Sequence, residues 1–379
     1  MKEIVFLIGA GNSQACGLPG TNELTNRILK EKYYFDTSER VIKGPPSKYS
    51  SNKVGLCQEV LKYIKRWLKR NFKQALKDSG NTVTYEDLYF IIDQIANYGE
   101  HENPLILPFY KRLGKWWSKS ERYKKYDTYG NDTTADMKEL DKCLYSIIGF
   151  IKGAVAVELG KKNNFAGYKY LLDVLHNQKI KVSGIITLNH DILIEKVLEQ
   201  NKINFIDGFD EKGNYKIWPF EEKGRYLIKL HGSINWYYDE NGDHLTKKEQ
   251  RYGSGPEILI GTHNKMFNYI RAYYLSNICK AYELFKRADV LVSIGYGFRD
   301  KGVNNMIIAA TQIGKEHKKP IIIVDKNKKL LKESARFAAQ KNIIEGAFLI
   351  EKLAEDLTGS DIYEKIKEIK QHLPNQREI

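Results

Sequence analysis

The 379-residue sequence has no apolar stretch approaching the length of a membrane span, so no membrane-embedded segment is expected. It opens on a single lysine and passes straight into an apolar strand and a glycine turn. A secretory signal, which needs a basic region, a long apolar stretch and a small-residue cleavage site, is therefore not expected. Cysteine is scarce. Cys16, Cys57, Cys143 and Cys279 lie far apart with no paired spacing, which excludes both a disulfide framework and a zinc knuckle as readings. Internal repeats and low-complexity tracts are missing, and no clustered carboxylates with two-metal spacing support a nuclease. These absences lead to the expectation of a soluble, cytoplasmic protein in a reducing setting, with no metal.

What is present begins with a packed core, since 42% of residues are hydrophobic and 12% aromatic. The length allows one large domain with an insertion, or two domains. The formal charge is +14, and the lysines are scattered through most of the chain. The densest stretch, Lys62 to Lys77, reads as a helix whose Tyr63, Trp67, Leu68 and Leu76 face inward. A solvated basic face is favoured there over a nucleic-acid surface, so a nucleic-acid partner is possible but not required. The same surface suits an anionic cofactor or an acidic protein partner.

Periodicity divides the chain. Glu3 to Ile8 is a strand followed at once by a glycine turn and a helix over Asn22 to Lys32. The segment 36–179 is helical in pattern, with helices over Tyr85 to Tyr98 and Leu140 to Leu159 and a long loop over Ser118 to Asp136. From Val182 strands alternate with helices: Val182 to Thr187, Arg225 to Leu230, Glu257 to Ile260, Asp289 to Ile294 and Pro320 to Val324. Nearly continuous apolar runs separated by helices predict a Rossmann-like α/β fold, with a mostly parallel sheet and helices on both faces. The expected organisation is a core of 1–35 and 180–325, a helical insertion over 36–179, and a helical tail over 326–379 with one short strand at Ala347 to Ile350.

In open sheets of this kind ligands bind beyond the carboxyl ends of the strands. The polar and glycine-rich residues collect at those ends. Gly9, Ala10, Gly11, Asn12 and Ser13 follow the first strand, with Pro19 in the Gly17 to Gly20 turn. Glycines there let backbone approach a pyrophosphate. The dehydrogenase fingerprint fails, because Gln14 occupies the third glycine position, and no Lys-Ser/Thr pair of a P-loop is present. Thr187, Asn189 and Asp191 follow a second strand; Asp191 also reads as a helix N-cap. His231, before Gly232, sits where a general base can act near neutral pH. His190 and His263 also lie near strand ends and rank below it. Gly295, Tyr296 and Gly297 form a second glycine loop. Asp325 is either a ribose acceptor or a turn starter, the two readings being equally supported.

The order of these segments resembles that of the sirtuin family, over roughly residues 1–35 and 180–325. The resemblance implies NAD+ as substrate, held by Gly9, Ala10, Gly11, Asn12 and Ser13 at its phosphates. It places Asn189 and Asp191 at the nicotinamide ribose and His231 as catalytic base, with Gly295, its neighbours and Asp325 around the adenosine half. Two departures matter. Only Cys279 lies between Gly232 and Gly295, where sirtuin deacylases carry a zinc ribbon built on two cysteine pairs. Gly20-Thr21-Asn22 also stands where they carry Phe-Arg. The pattern is similar to the bacterial sirtuin-like proteins of antiphage defence, which hydrolyse NAD+, and among them to the type that works with a HerA-like ATPase. An NAD+ glycohydrolase that acts within a complex is thus the leading expectation, with homo-oligomers formed through the helical surfaces. The alternatives are an NAD-dependent protein deacylase and an NAD- or ADP-ribose-binding regulatory subunit of an ATPase or nuclease complex.

Overall fold

The computed structural model describes residues 2–45, 53–79, 82–97, 106–119, 133–161, 164–177, 179–216, 224–239, 244–247, 255–261, 271–311, 319–327 and 338–372. His101, His263 and His317, and most of the loop expected over Ser118 to Asp136, lie outside them. Its strands are β1 (Lys2–Ile8), β2 (Tyr33–Phe35), β3 (Val41–Lys43), β4 (Ile180–Thr187), β5 (Tyr226–Lys229), β6 (Trp236–Tyr238), β7 (Leu245–Lys247), β8 (Val290–Ile294), β9 (Ile321–Val324) and β10 (Phe348–Ile350).

Two compact units account for the chain: Met1–Gly20, Gly160–Lys247 and Met266–Ile379 make the first, and Thr21–Leu159 with Lys248–Lys265 the second. The first holds a six-stranded sheet in the order β10-β9-β8-β1-β4-β5, with every pairing parallel. Counted along the chain within this sheet, that is the Rossmann order 3-2-1-4-5-6 seen from the other side. β1 is central and Ile4 through Ile8 are wholly buried, as a run of branched and aromatic residues covered on both faces should be. Helices Leu193–Gln200, Ala272–Arg287 and Lys301–Thr311 connect or cover the strands. One core cluster runs from Val5 and Leu7 through Ile228, Leu284 and Phe285 to Ile323.

Three expectations are corrected by this arrangement. Glu257 to Ile260 forms no sheet strand, although Ile258, Leu259 and Ile260 are buried, and it belongs to the second unit. Buried apolar runs of four residues do not by themselves distinguish a strand from packed coil. Residues 160–179, expected within the insertion, lie in the first unit, and residues 21–35, expected in the core, lie in the second; the short strand expected at Ala347 to Ile350 is β10, which pairs with β9 and extends the sheet.

The second unit is mainly helical, with helices Thr21–Lys30, Lys53–Asn71, Tyr85–Ala96, Leu107–Trp117 and Thr133–Leu159 beside a β2–β3 ribbon. Thr84 and Asp87 form a capping box that starts the third of these helices. A fully buried Glu158 takes hydrogen bonds from Arg27, Tyr33 and Lys43, so its charge is paired rather than stranded. Cys57 and Cys143, distant in sequence, come together as two buried free thiols in hydrogen-bond contact, a pairing their spacing concealed. On the basic helix the inward face is Val54, Cys57, Val60, Leu61 and Ile64. Tyr63, Trp67 and Leu68 are half-buried instead: Tyr63 stacks on Trp116 at 4.3 Å and Trp67 meets Phe109 at 4.5 Å.

Candidate active site at the strand crossover

The chain leaves β1 toward β4 on one side, and returns across to β8 on the other. The crevice at the carboxyl ends of β1 and β8 is therefore the topological switch point, where doubly wound sheets take their ligands. The two glycine loops meet there. Gly9 donates its N–H to the Ile294 carbonyl at 3.0 Å and Gly11 donates to the Gly295 carbonyl at 2.9 Å. A Cβ on Gly9 would stand 2.6 Å from the Gly295 oxygen. One on Gly295, whose φ is +63°, would stand 2.4 Å from the Asn12 nitrogen. Glycine is obligatory at this junction because backbone packs on backbone.

The same loop is bound to the end of β4. Ser13 donates its hydroxyl to Asp191 Oδ2 at 2.7 Å and accepts from Asn189 Nδ2 at 2.8 Å. Asn189 Nδ2 also donates to the Gly9 carbonyl at 3.0 Å, and the Asn189 N–H is held by Thr187 Oγ1 at 3.1 Å. Both amide hydrogens of Asn189 are thus spent on the scaffold, which turns Oδ1, an acceptor, toward any ligand. Asn12 is wholly buried, with Oδ1 accepting from the Tyr170 hydroxyl at 3.1 Å.

Asp191 is buried, and both of its carboxylate oxygens are occupied. Oδ2 takes Ser13, and Oδ1 takes the Leu193 N–H at 3.0 Å, so the helix-start role is realised alongside the site role. Burial pushes its carboxyl above the ordinary range, and Lys229 with these two hydrogen bonds opposes the rise. Lys229, buried in β5, reaches the Asp191 carbonyl oxygen and pairs with Glu195 Oε1 at 2.9 Å. A lysine inside the apolar run of β5 was the sequence signal for this anchor. Cys16, behind the loop, has its thiol pushed up to about 11 by burial, which leaves it a poor nucleophile.

His231 follows β5. The neighbouring turn is tied to the β4 loop by Ile234, which donates to the His190 carbonyl at 2.9 Å, and the rings of His190 and His231 lie 6.3 Å apart. His231 Nε2 stands 3.1 Å from Asp300 Oδ2, both side chains being at least nine-tenths buried. Asp300 belongs to the β8 loop and also caps the next helix, with Oδ1 accepting from Val303. In the sequence Asp300 reads only as part of that loop. A carboxylate five residues after Gly295 gives no sign of its partner until the strand order is known.

Tyr296 closes the circuit, its hydroxyl donating to Asn304 Oδ1 at 2.9 Å and lying 3.2 Å from the Asp300 carbonyl oxygen. Phe298, wholly buried, adopts a left-handed φ of +53°, and the Asn304 amide fastens its carbonyl at 2.7 Å. A bulky residue in that conformation stores strain of a kind that gathers at functional loops. A methyl group added to Gly297 would meet no atom within 4 Å, and its φ is not positive, so neither packing nor backbone requires glycine there. With Ala10 and Gly11 it forms an exposed rim of small residues.

Gly9, Asn12, Ser13, Thr187, Asn189, Asp191, Gly295 and Tyr296 are therefore joined by contacts, and His231 enters through Asp300. Asp325 and Pro19 are not drawn into this network. Asp325, at the end of β9, accepts the Asn327 N–H at 2.9 Å as a turn starter, and Pro19 is buried beside the Gly17–Gly20 turn. Among the described residues no group of three His, Cys, Asp or Glu could hold a metal ion, and no helix is long and apolar enough to cross a membrane.

A family model described as a SIR2-like domain matches residues 183–344, a span that takes in Asn189, His231 and the Gly295 loop and leaves out the Gly9 loop. None of the curated proteins matches the chain. Among solved structures, the chain is similar to a Sir2 homologue in complex with NAD, at 14% identity and a TM-score of 0.41, with 98% of this chain and 91% of that one covered. It is also similar to a Sir2 structure bound to a propionylated peptide, at 11% identity and a TM-score of 0.36, with coverage of 96% and 93%.

Proposed function

We propose that this chain is an NAD+ glycohydrolase that converts NAD+ and water to nicotinamide, ADP-ribose and a proton. The observation that supports the reading is that Asn189 and His231 follow the neighbouring parallel strands β4 and β5, with Asn189 bonded to the Gly9 loop and His231 standing beside Asp300 of the Gly295 loop. In the reaction the bond from ribose C1′ to the nicotinamide nitrogen breaks, and its electron pair leaves with nicotinamide. A water oxygen bonds to C1′ and gives up its proton.

The residues supply orientation and a base. Asn189 Oδ1 accepts a hydrogen bond from the attacking water or a ribose hydroxyl, in a position set by Ser13 and Gly9. Asp191 holds Ser13 and places negative charge near the developing oxocarbenium ion. Asp300 Oδ2, 3.1 Å from Nε2, stabilises the imidazolium that forms when His231 takes the proton. General-base assistance of this kind contributes about a hundred- to ten-thousand-fold. The small rim at Ala10, Gly11 and Gly297 gives the dinucleotide backbone room, with Thr187, Gly295 and Tyr296 around it and Asp325 toward the adenosine half. A role in antiviral defence by NAD+ depletion, as a homo-oligomer working with a HerA-like ATPase in the cytoplasm, belongs to this reading through the sequence resemblance.

The test is nicotinamide release from NAD+ by the purified chain, alone and with a HerA-like ATPase, in the presence and absence of an acetyl-lysine peptide. Release that is independent of peptide and accompanied by ADP-ribose is expected. Release that requires the peptide would identify a deacylase instead.

A further inference from the structure

The excess positive charge of the chain is concentrated on two helices of the second unit. Between Lys62 and Lys77 stand seven basic residues and no acidic one, and helix Leu107–Trp117 adds Lys111, Arg112 and Lys115, again with no acid. The rest of the chain holds 51 basic against 47 acidic residues, so ten of the fourteen net charges reside here. The stacks of Tyr63 on Trp116 and Trp67 on Phe109 fix the two helices against each other.

The geometry is a stripe. Phe72 donates to the Leu68 carbonyl and Leu76 to the Phe72 carbonyl, so helical bonding continues from Lys53–Asn71 into Lys73–Ser79. Lys62, Arg66, Lys69, Lys73 and Lys77 then recur at three- and four-residue spacing on one exposed side, opposite the buried Cys57, Val60, Leu61 and Ile64. The fifteen helical rises from Lys62 to Lys77 give the stripe a length of about 22 Å.

An ordinary solvated helix face interleaves its lysines with acids four residues away. Here Lys62–Arg66, Arg66–Arg70, Lys69–Lys73 and Lys73–Lys77 are like-charge pairs at that spacing, and each is unfavourable to the isolated helix. Among the described residues none of the ten side chains forms an ion pair. Lys65, half-buried among them, has its ammonium pulled below the ordinary range by burial and by Lys69 and Lys30. Between Glu59 and Asp78, which bound it, the face carries no acid, and kept so at this cost it is complementary to an external polyanion.

We propose that this face binds the phosphate backbone of duplex nucleic acid without reading its sequence. The stripe itself offers only lysine and arginine, and the exposed Phe72 beside it is packed edge-on against Trp67 rather than presented as a flat platform, which favours phosphate contacts on a duplex over base stacking on a single strand. The proposal is independent of the NAD+ reading, since it rests on residues of the other unit.

The experiment uses the full chain and fluorescence anisotropy with 25-base-pair duplexes of two unrelated sequences, a single strand and poly-glutamate, across a salt series. If the five stripe residues each neutralise a phosphate, log K falls with log salt at a slope of about −4.5. The combined variant Lys62→Gln, Arg66→Gln, Lys69→Gln and Lys73→Gln should flatten that slope by about 3.6 and lose at least tenfold in affinity at about 0.1 M salt. Unchanged circular dichroism and thermal midpoint establish that the variant is folded, as exposed positions allow. Equal affinity for both duplexes is expected. Duplex binding absent at low salt, a variant that keeps the wild-type slope, or tighter binding of poly-glutamate or the single strand would each overturn the proposal.

Discussion

Replacing Lys229 by methionine tests how the candidate site is held in place. Lys229 and Glu195 are both more than nine-tenths buried, 2.9 Å apart, and the lysine also grips the carbonyl oxygen of Asp191. Glu195 Oε2 is buried with no hydrogen-bond partner, so the lysine is the main compensation for that carboxylate. Removing one member of a buried pair leaves the other charged and desolvated, at a cost of about 3–5 kcal/mol. Methionine fills a similar volume, so little of this loss comes from a cavity. Urea unfolding of Lys229→Met should show a loss of that size. The double variant Lys229→Met with Glu195→Leu should recover most of it, because an apolar pair of similar volume is often neutral. NAD+ turnover should stay low in the double variant, since the Asp191 backbone has lost its anchor. A loss under about 1 kcal/mol in the single variant would refute the reasoning, as would a double variant no more stable than the single one or one with full turnover.

Other consequences are sharper at single positions. Gly297→Ala should leave stability within about 0.5 kcal/mol yet weaken NAD+ binding by calorimetry, because its side chain enters open space at the rim. Gly295→Ala should instead cost about 2–4 kcal/mol in a denaturant melt, through a left-handed φ and a backbone clash. Asp300→Asn should lower kcat and alter the pH–rate profile while barely changing the KM for NAD+; a change confined to KM would place Asp300 in substrate binding rather than behind His231. Asp191, whose carboxyl is raised above the unfolded value of 3.8, binds more protons folded than unfolded just above that pH. Its contribution therefore falls as pH rises through the interval up to the raised value, and Asp191→Asn should gain on the wild type over that interval in melts taken from about pH 3 to pH 7. A variant that loses ground as pH rises would contradict the assignment.

The sheet was legible because each strand announces itself as a short apolar run that ends on glycine or a polar residue. β1, β4, β5, β8 and β9 all do so, and their alternation with helices dictates parallel pairing. Glu257 to Ile260 carried the same signal without the same outcome, since burial alone produces it. The loops at Gly9, Asn189, His231 and Gly295 could be placed at strand ends from the sequence. Their bonds to one another could not. Ser13 to Asp191 spans 178 residues and closes only because β1 pairs with β4, and His231 to Asp300 spans β6, β7, the helix Ala272–Arg287 and β8 and closes only through the crossover from β5 to β8. The basic helix shows the opposite case. Its charges were plain in sequence, but the absence of ion-pair partners on its outer face among the described residues emerged only with the side chains in place.

Hydrolysis of NAD+ through Asn189 and His231 is tested most directly by following NAD+ and its products chromatographically. The wild type, Asn189→Ala, His231→Ala and the double variant are compared, each checked for fold and for NAD+ binding. The wild type, with its activating partner if one is needed, is expected to yield nicotinamide and ADP-ribose in equal amounts. Each single variant should fall about a hundredfold or more while still binding the dinucleotide, and the double variant should do little worse than either alone. A wild type that neither binds nor cleaves NAD+, or a double variant that cleaves it at the wild-type rate, would contradict the assignment of this site.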